Sequence, residues 1–235
     1  QAIICGILCI MTLIFVTETS ELAGKGCIKR IAGEAKACLA TPEYVLFVLC
    51  FALNMALFFC YAGSASFAMV TELGMDNNAY ANMYSINAAT MVVSATIGRL
   101  ISKKVAAKTI IRVMNIVQIA TALVISFSFM NGIADWTWLQ FVWWIFPFVQ
   151  GMTLPLAMSL VMNASGKATG TGAAIMGFVQ YLFSSITTTM LASIKEGGSI
   201  GSVIGFIMAA CAIGSFITCT IGVKVLKKKN PDAVD

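Results

Sequence analysis

Histidine is absent from the 235-residue chain, and with it go the functions that need an imidazole. There can be no HExxH zinc-protease site, no Ser-His hydrolase pair and no histidine proton relay. Charge is scarce as well: Asp, Glu, Lys and Arg make up 11% of the residues, against about a quarter in a soluble domain. With 59% of its residues hydrophobic, the chain reads as an integral membrane protein. No Cys-x-x-Cys occurs among the eight cysteines. Cys5, Cys9, Cys50, Cys60, Cys211 and Cys219 lie inside apolar segments, where small polarizable side chains serve packing rather than redox or metal chemistry. The ten acids all fall in loops, tails or helix ends. An ionisable group within a membrane span is a functional group by default, so the groups left to carry function here are neutral. No metal, cofactor or enzymatic activity is expected.

What the chain does have is a succession of apolar runs. About 20 such residues cross the hydrocarbon core as a helix, and by that test seven spans are predicted, at 1–17, 43–70, 80–101, 109–130, 136–163, 170–194 and 200–223. The first begins at Gln1 inside an apolar run, with no initiator Met and no n-region, and reads as a truncated or processed start rather than a signal peptide. Residues 18–41 form the longest polar segment, with Lys25, Lys29, Arg30 and Lys36 mixed among Glu18, Glu21 and Glu34; they read as a linker with room for a surface helix. Pro42 suits a first helical turn. Gly63, Ser64 and Ser66 predict a bend near the outer end of the second span. Asn131, Gly132 and Asp135 predict a turn ahead of the fifth span, which holds Pro147 and Pro155.

Basic residues set the orientation. Gly98 to Arg112 packs Arg99, Lys103, Lys104, Lys108 and Arg112 between two uncharged runs. Counted over successive polar segments, Lys and Arg number four, none, five, none, one, one and four. Positive loops stay on the cytoplasmic side, which places 18–41, 99–112, 164–169 and the tail 224–235 inside, and the acid-only turns 72–79 and 131–135 outside. The C-terminus is then cytoplasmic. The net charge of +5 thus reports topology and gives no reason to invoke nucleic acid.

Polar and aromatic side chains recur at helical spacing. Asn54, Phe58 and Tyr61 share one face of the second span. Tyr80, Tyr84, Asn87, Met91 and Ser94 continue the pattern on the third, ending at Gly98. Trp143, Trp144, Phe146 and Gln150 cluster about Pro147, and Ala173, Gly177, Gln180, Ser184 and Thr187 align on the sixth. An amide facing lipid leaves hydrogen-bonding groups unpaired, so Asn54, Asn87, Gln150 and Gln180 should face the bundle interior or water. Two readings stand side by side. The amides are interhelical glue and the tryptophans an interfacial belt, or together they line a cavity for a bulky, partly apolar ligand. Trp136, Trp138 and Tyr80, beside the outer turns, read as belt. Gly166, Gly170, Gly172, Gly177 and Gly214, with Gly201 and Gly205 as GxxxG, read as sites of close helix approach.

Three patterns resemble the major facilitator superfamily. Gly98-Arg99-Leu100-Ile101-Ser102-Lys103 is similar to its cytoplasmic loop motif, Gly-x-Leu-x-Asp-Arg-x-Gly-Arg-Arg, with Ser102 in place of the acid and the second glycine absent. Gly63-Ser64-Ala65-Ser66-Phe67, then Glu72-Leu73-Gly74-Met75, Tyr80 and Asn87, resembles the Ser-x-Ser-Pro-Phe run of the Bcr/CflA-type drug-resistance branch, with Ser66 at its proline. Leu154-Pro155, Ala168-Thr169-Gly170-Thr171-Gly172-Ala173-Ala174 and Gly177-Phe178-Val179-Gln180 resemble a later stretch of that branch. Thr17-Glu18-Thr19 is similar to the Pro-Glu-Thr that closes its sixth helix. The resemblance implies an all-α membrane fold. Residues 1–17 would be the last helix of one half, 18–41 the cytoplasmic linker, 42–223 a second six-helix bundle, and 224–235 a basic tail. It also implies proton-coupled efflux of drug-like or small amphipathic compounds by alternating access, in a bacterial-type cytoplasmic (inner) membrane. The coupling acid would lie in the other half, and Gly98, Arg99, Ser102, Lys103 and Lys104 would form a gating and topology loop.

A passive channel or pore subunit is the alternative, because polar stripes can line a pore. A seven-span receptor has no motif in its favour, and a retinal protein would need a lysine inside its last span, where Lys224, Lys227, Lys228 and Lys229 are terminal.

Overall fold

The computed structural model describes residues 2–15, 28–193 and 200–229. Residues 18–27 of the linker 18–41, the Thr17-Glu18-Thr19 pattern and the last residues of the tail lie outside the described residues. Among those described, all regular structure is helical: α1 (Ala2–Phe15), α2 (Ile28–Leu39), α3 (Pro42–Ser66), α4 (Asn77–Ile101), α5 (Ala107–Met130), α6 (Trp136–Ser165), α7 (Thr169–Ser193) and α8 (Ile200–Lys229). Pro42 opens α3 behind Thr41, where its missing N–H costs nothing. Instead of ending at Ser66, α3 runs on into a π-helical turn, Phe67–Glu72. The wider winding falls beside the Gly63, Ser64 and Ser66 cluster, and π-turns of this kind are frequent at functional sites.

Five helical stretches are long and apolar enough to cross a membrane: Pro42–Glu72, Ala107–Met130, Trp136–Ser165, Thr169–Ser193 and Gly201–Lys228. The expected count of seven is not reached on that measure, for two physical reasons. Among the described residues α1 contributes 14 helical residues, about 21 Å at the α-helical rise, short of the core thickness. α4 has the length, 25 residues, but Asn77, Asn78, Asn82, Ser85, Asn87, Thr90, Ser94 and Thr96 dilute its apolarity.

α3 is the central helix, packing on α8, α7 and α6, while α6 also holds α4 and α5, and α5 closes on α8. Lipid is as apolar as leucine, so close approach and hydrogen bonds hold such helices together. The glycines show where. A Cβ on Gly205 would stand 2.6 to 2.8 Å from the Cβ, N and Cα of Ser126 on α5, and Ser126 Oγ donates to Ser202 O at 3.0 Å. The GxxxG reading as a packing seam is thereby met. On α6, a side chain at Gly151 would run into the Met91 carbonyl and the Ser94 hydroxyl of α4, while Gly98 lies against Met152. Tyr44 OH donates to Gly172 O at 2.7 Å, fastening α3 to α7. α2 is tied on by Thr171 Oγ1, which donates to Glu34 Oε2 at 2.5 Å; Glu34 also pairs with Arg30 at 3.2 Å. Burial, with the Glu34 carboxylate adding to it, pushes the Cys38 thiol on α2 above its ordinary pKa. Val92 and Phe178, each 70% exposed, typify apolar outer faces that the described helices leave uncovered.

Candidate functional site

The predicted stripe on α3 divides between two neighbourhoods. Near the middle of the helix, Asn54 is fully buried. Its Nδ2 donates to Cys50 O at 2.9 Å and to Ser215 Oγ at 2.5 Å. Asn115 Nδ2 of α5 donates to the same hydroxyl at 3.0 Å, and Cys50 Sγ lies 3.3 Å from it. Ser215 is therefore a hub joining α3, α5 and α8. Gln150 Nε2 of α6 reaches in to donate to Asn54 O at 2.8 Å, bringing in a fourth helix. Gln118 is also buried, with neither amide atom paired. Asn54 and Gln150 thus serve as glue between helices. Asn115, Gln118 and Ser215 were not among the predicted site residues, although Asn115 and Gln118 stand three apart on one face of an apolar run. Ser215 offered only an isolated hydroxyl.

One to two turns further along α3, the other predicted residues converge. Phe58, Tyr61, Tyr84, Asn87, Ala88, Met91 and Pro147 line a half-open cavity of about 90 Å3 between α3, α4 and α6. Tyr61 is held from behind by Phe146, stacked at 4.5 Å, and by Trp143 at 5.1 Å. Asn87 Nδ2 donates to Tyr61 OH at 2.5 Å, while its Oδ1 is buried without a partner. Tyr84 is 40% exposed and forms the outer wall, with Tyr80 at 5.9 Å behind it. Among the described residues no acid or base lines the cavity; its lining offers ring surfaces and one amide, not ion pairing.

The remaining candidates lie elsewhere. Trp144 packs edge-on to Phe141 at 5.1 Å, and the indole N–H groups of both Trp143 and Trp144 are buried without partners. Ser184 Oγ donates to Gln180 O of its own helix at 2.7 Å; neither Gln180 nor Ser184 lines the aromatic cavity. Trp138, expected in the belt, gives its indole N–H to Ile133 O at 3.2 Å. Asp135 caps α6 by accepting from Thr137 N at 3.1 Å, and hydrogen bonds from Thr137's side chain and backbone hold its carboxyl below the usual carboxylate range.

At the predicted loop, Gly98 is buried while Arg99, Lys103 and Lys104 are exposed. Ser102 Oγ donates to Arg99 O at 2.8 Å, ending α4. Arg99 and Ser102 also border a separate crevice of about 480 Å3 with Met152, Pro155 and Ser159.

Five helices of membrane length define a multi-pass integral membrane protein, with a small neutral, aromatic cavity between α3, α4 and α6. Residues 1–188 match the family model of the Major Facilitator Superfamily, and the chain belongs to that family. It is accordingly of the secondary-transporter class, with a small-molecule substrate and a lipid bilayer as its setting. Comparison with curated proteins finds no match.

Proposed function

We propose that the chain serves a proton-coupled exporter of drug-like or small amphipathic compounds that works by alternating access between two helical halves. The observation that carries this reading is the neutral cavity of Phe58, Tyr61, Tyr84 and Asn87, backed by Trp143 and Phe146. In this reading α1 closes the first half, residues 18–41 join the halves, 42–223 form the second and 224–235 a cytoplasmic tail. α4 then crosses the membrane with its polar residues toward the interior, giving seven spans. The cavity has no acid, so the proton-carrying group is assigned to the first half. Asn54 and Gln150 act through the stability of the bundle, whereas Gln180 and Ser184 are placed on the α7 wall of the translocation path.

The test is transport by the full-length polypeptide in sealed vesicles, with ethidium as the probe. Export that follows an imposed pH gradient is expected. Flux that ignores the gradient would refute proton coupling and favour a passive pore. In the loop, the exposed Lys103 and Lys104 hold topology. Neutralising both should disturb insertion and orientation more than turnover, as cysteine-accessibility mapping would show. Normal orientation with abolished transport would instead make the loop a gate.

A further inference from the structure

The aromatic cavity contains more information than its apolar walls. Asn87 is 4% exposed, and its amide is asymmetric: one side is committed to Tyr61 OH at 2.5 Å, and the carbonyl oxygen has no partner. A buried amide oxygen left unpaired is disfavoured relative to a hydrogen-bonded one. This oxygen belongs to a residue that lines open space of about 90 Å3, room for one aromatic ring. Phe58, Tyr61 and Tyr84 supply ring surfaces there, and Pro147 and Met91 complete the wall. Tyr61 cannot swing away to satisfy the amide differently, because Phe146 and Trp143 pack its ring at 4.5 and 5.1 Å. The other unpaired amide oxygens among the described residues, on Asn54, Asn115, Gln118 and Gln150, do not line this cavity.

We infer that the cavity recognises a planar aromatic group bearing an N–H or O–H donor, with Asn87 Oδ1 as the acceptor and Phe58, Tyr61 and Tyr84 as the stacking surfaces. This rests on the transporter reading of the same cavity and narrows its substrate class. A ring without a donor fills the space but leaves the oxygen unpaired, so the site discriminates by the donor and not only by shape. Carboxylates and phosphates are disfavoured, because no cation lines the cavity and an anion would face the amide oxygen.

The experiment measures binding of phenol and fluorobenzene to the full-length protein in nanodiscs by ligand-observed NMR. The two rings are close in size, and only phenol can donate. Phenol binds more tightly in the wild type, and its advantage over fluorobenzene falls about tenfold in Asn87→Leu, the size of one hydrogen bond to a buried acceptor. Tyr84→Leu weakens both probes and keeps their ratio. The wild-type comparison needs no variant, so a misfolded Asn87→Leu leaves a decisive measurement. Phenol binding no tighter than fluorobenzene in the wild type, or a ratio unchanged in Asn87→Leu, overturns the inference while leaving an apolar substrate cavity standing. Failure of both probes to bind overturns the cavity reading along with it.

Discussion

Asn54 on the central helix and Asn87 on α4 beside it are both buried asparagines, and they are used differently. Asn54 spends its two amide hydrogens on Cys50 O and on Ser215 Oγ, in a layer where α5 and α8 close around it. Asn87 spends one on Tyr61 and sits with its oxygen unpaired at the wall of a cavity. The residue type is the same; the neighbours decide. On the α8 side, Gly205 lets α5 approach closely at Ser126, and further along the same pair of helices the Ser215 hydroxyl meets two amides. On the α4 side, aromatic side chains of α3 and α4 border open space between α3, α4 and α6. In the proposed reading, one side of α3 contributes stability and the other contributes recognition.

Changes on the stability side should unfold the bundle without altering what it binds. The largest effect is expected from Gly205→Val, because the new side chain meets the backbone of Ser126 as well as its Cβ and neither can yield cheaply. A loss of about 3 kcal/mol follows from overpacking of this kind, read as a lower midpoint in denaturant titration of the detergent-solubilised protein. Ser215→Ala comes next. It strands amide hydrogens of both Asn54 and Asn115, a cost of about 2 kcal/mol, while the phenol to fluorobenzene ratio stays at its wild-type value. A changed ratio in Ser215→Ala would mean that the two sides of α3 are not separable.

On the recognition side, Tyr61→Phe removes the acceptor that orients Asn87 but keeps the ring stacked on Phe146. Stability should fall by only about 1 kcal/mol. The donor preference should weaken severalfold, because the freed amide can rotate. Wild-type preference in this variant, measured with the same probe pair, would show that Tyr61 does not position the amide.

Helix existence was legible from sequence because apolar runs of this length admit few other structures in lipid. The convergence of four candidate residues was legible too: Phe58, Tyr61, Tyr84 and Asn87 lie on faces that periodicity picks out, and they meet in one cavity. Asn54 followed the same period and yet belongs to the glue. Spacing along one helix cannot say which neighbour stands opposite, and that neighbour, Ser215, lies 161 positions away. Asn115 and Gln118 were missed for the complementary reason, since no aromatic residue accompanies them to form a stripe. Gln180 and Ser184 align on paper, but a serine hydroxyl in a helix can bond its own preceding carbonyl, and Ser184 does so. α4 is the described helix on which length and apolarity part company: it has 25 residues, but its asparagines keep it out of the helices that are long and apolar enough to cross a membrane.

Asp135 gives the smallest effect and serves as a control on the comparison. It caps α6, the helix that carries Trp143, Phe146, Pro147 and Gln150, and so it touches both sides of α3 only through helix position. Its carboxyl titrates below the usual carboxylate range because Thr137 donates to the charged form. A depressed folded-state pKa contributes stability that is present above the unfolded value and is lost as pH falls through the folded one. No change from this group is therefore expected between pH 5 and pH 8, and its cap weakens only at pH values below about 4. Asp135→Asn keeps an oxygen that can accept from Thr137 N and should shift the thermal midpoint less than Tyr61→Phe does, with the probe ratio untouched. A larger shift, or one that appears near neutral pH, would mean that the start of α6 is tied to the cavity by more than the cap.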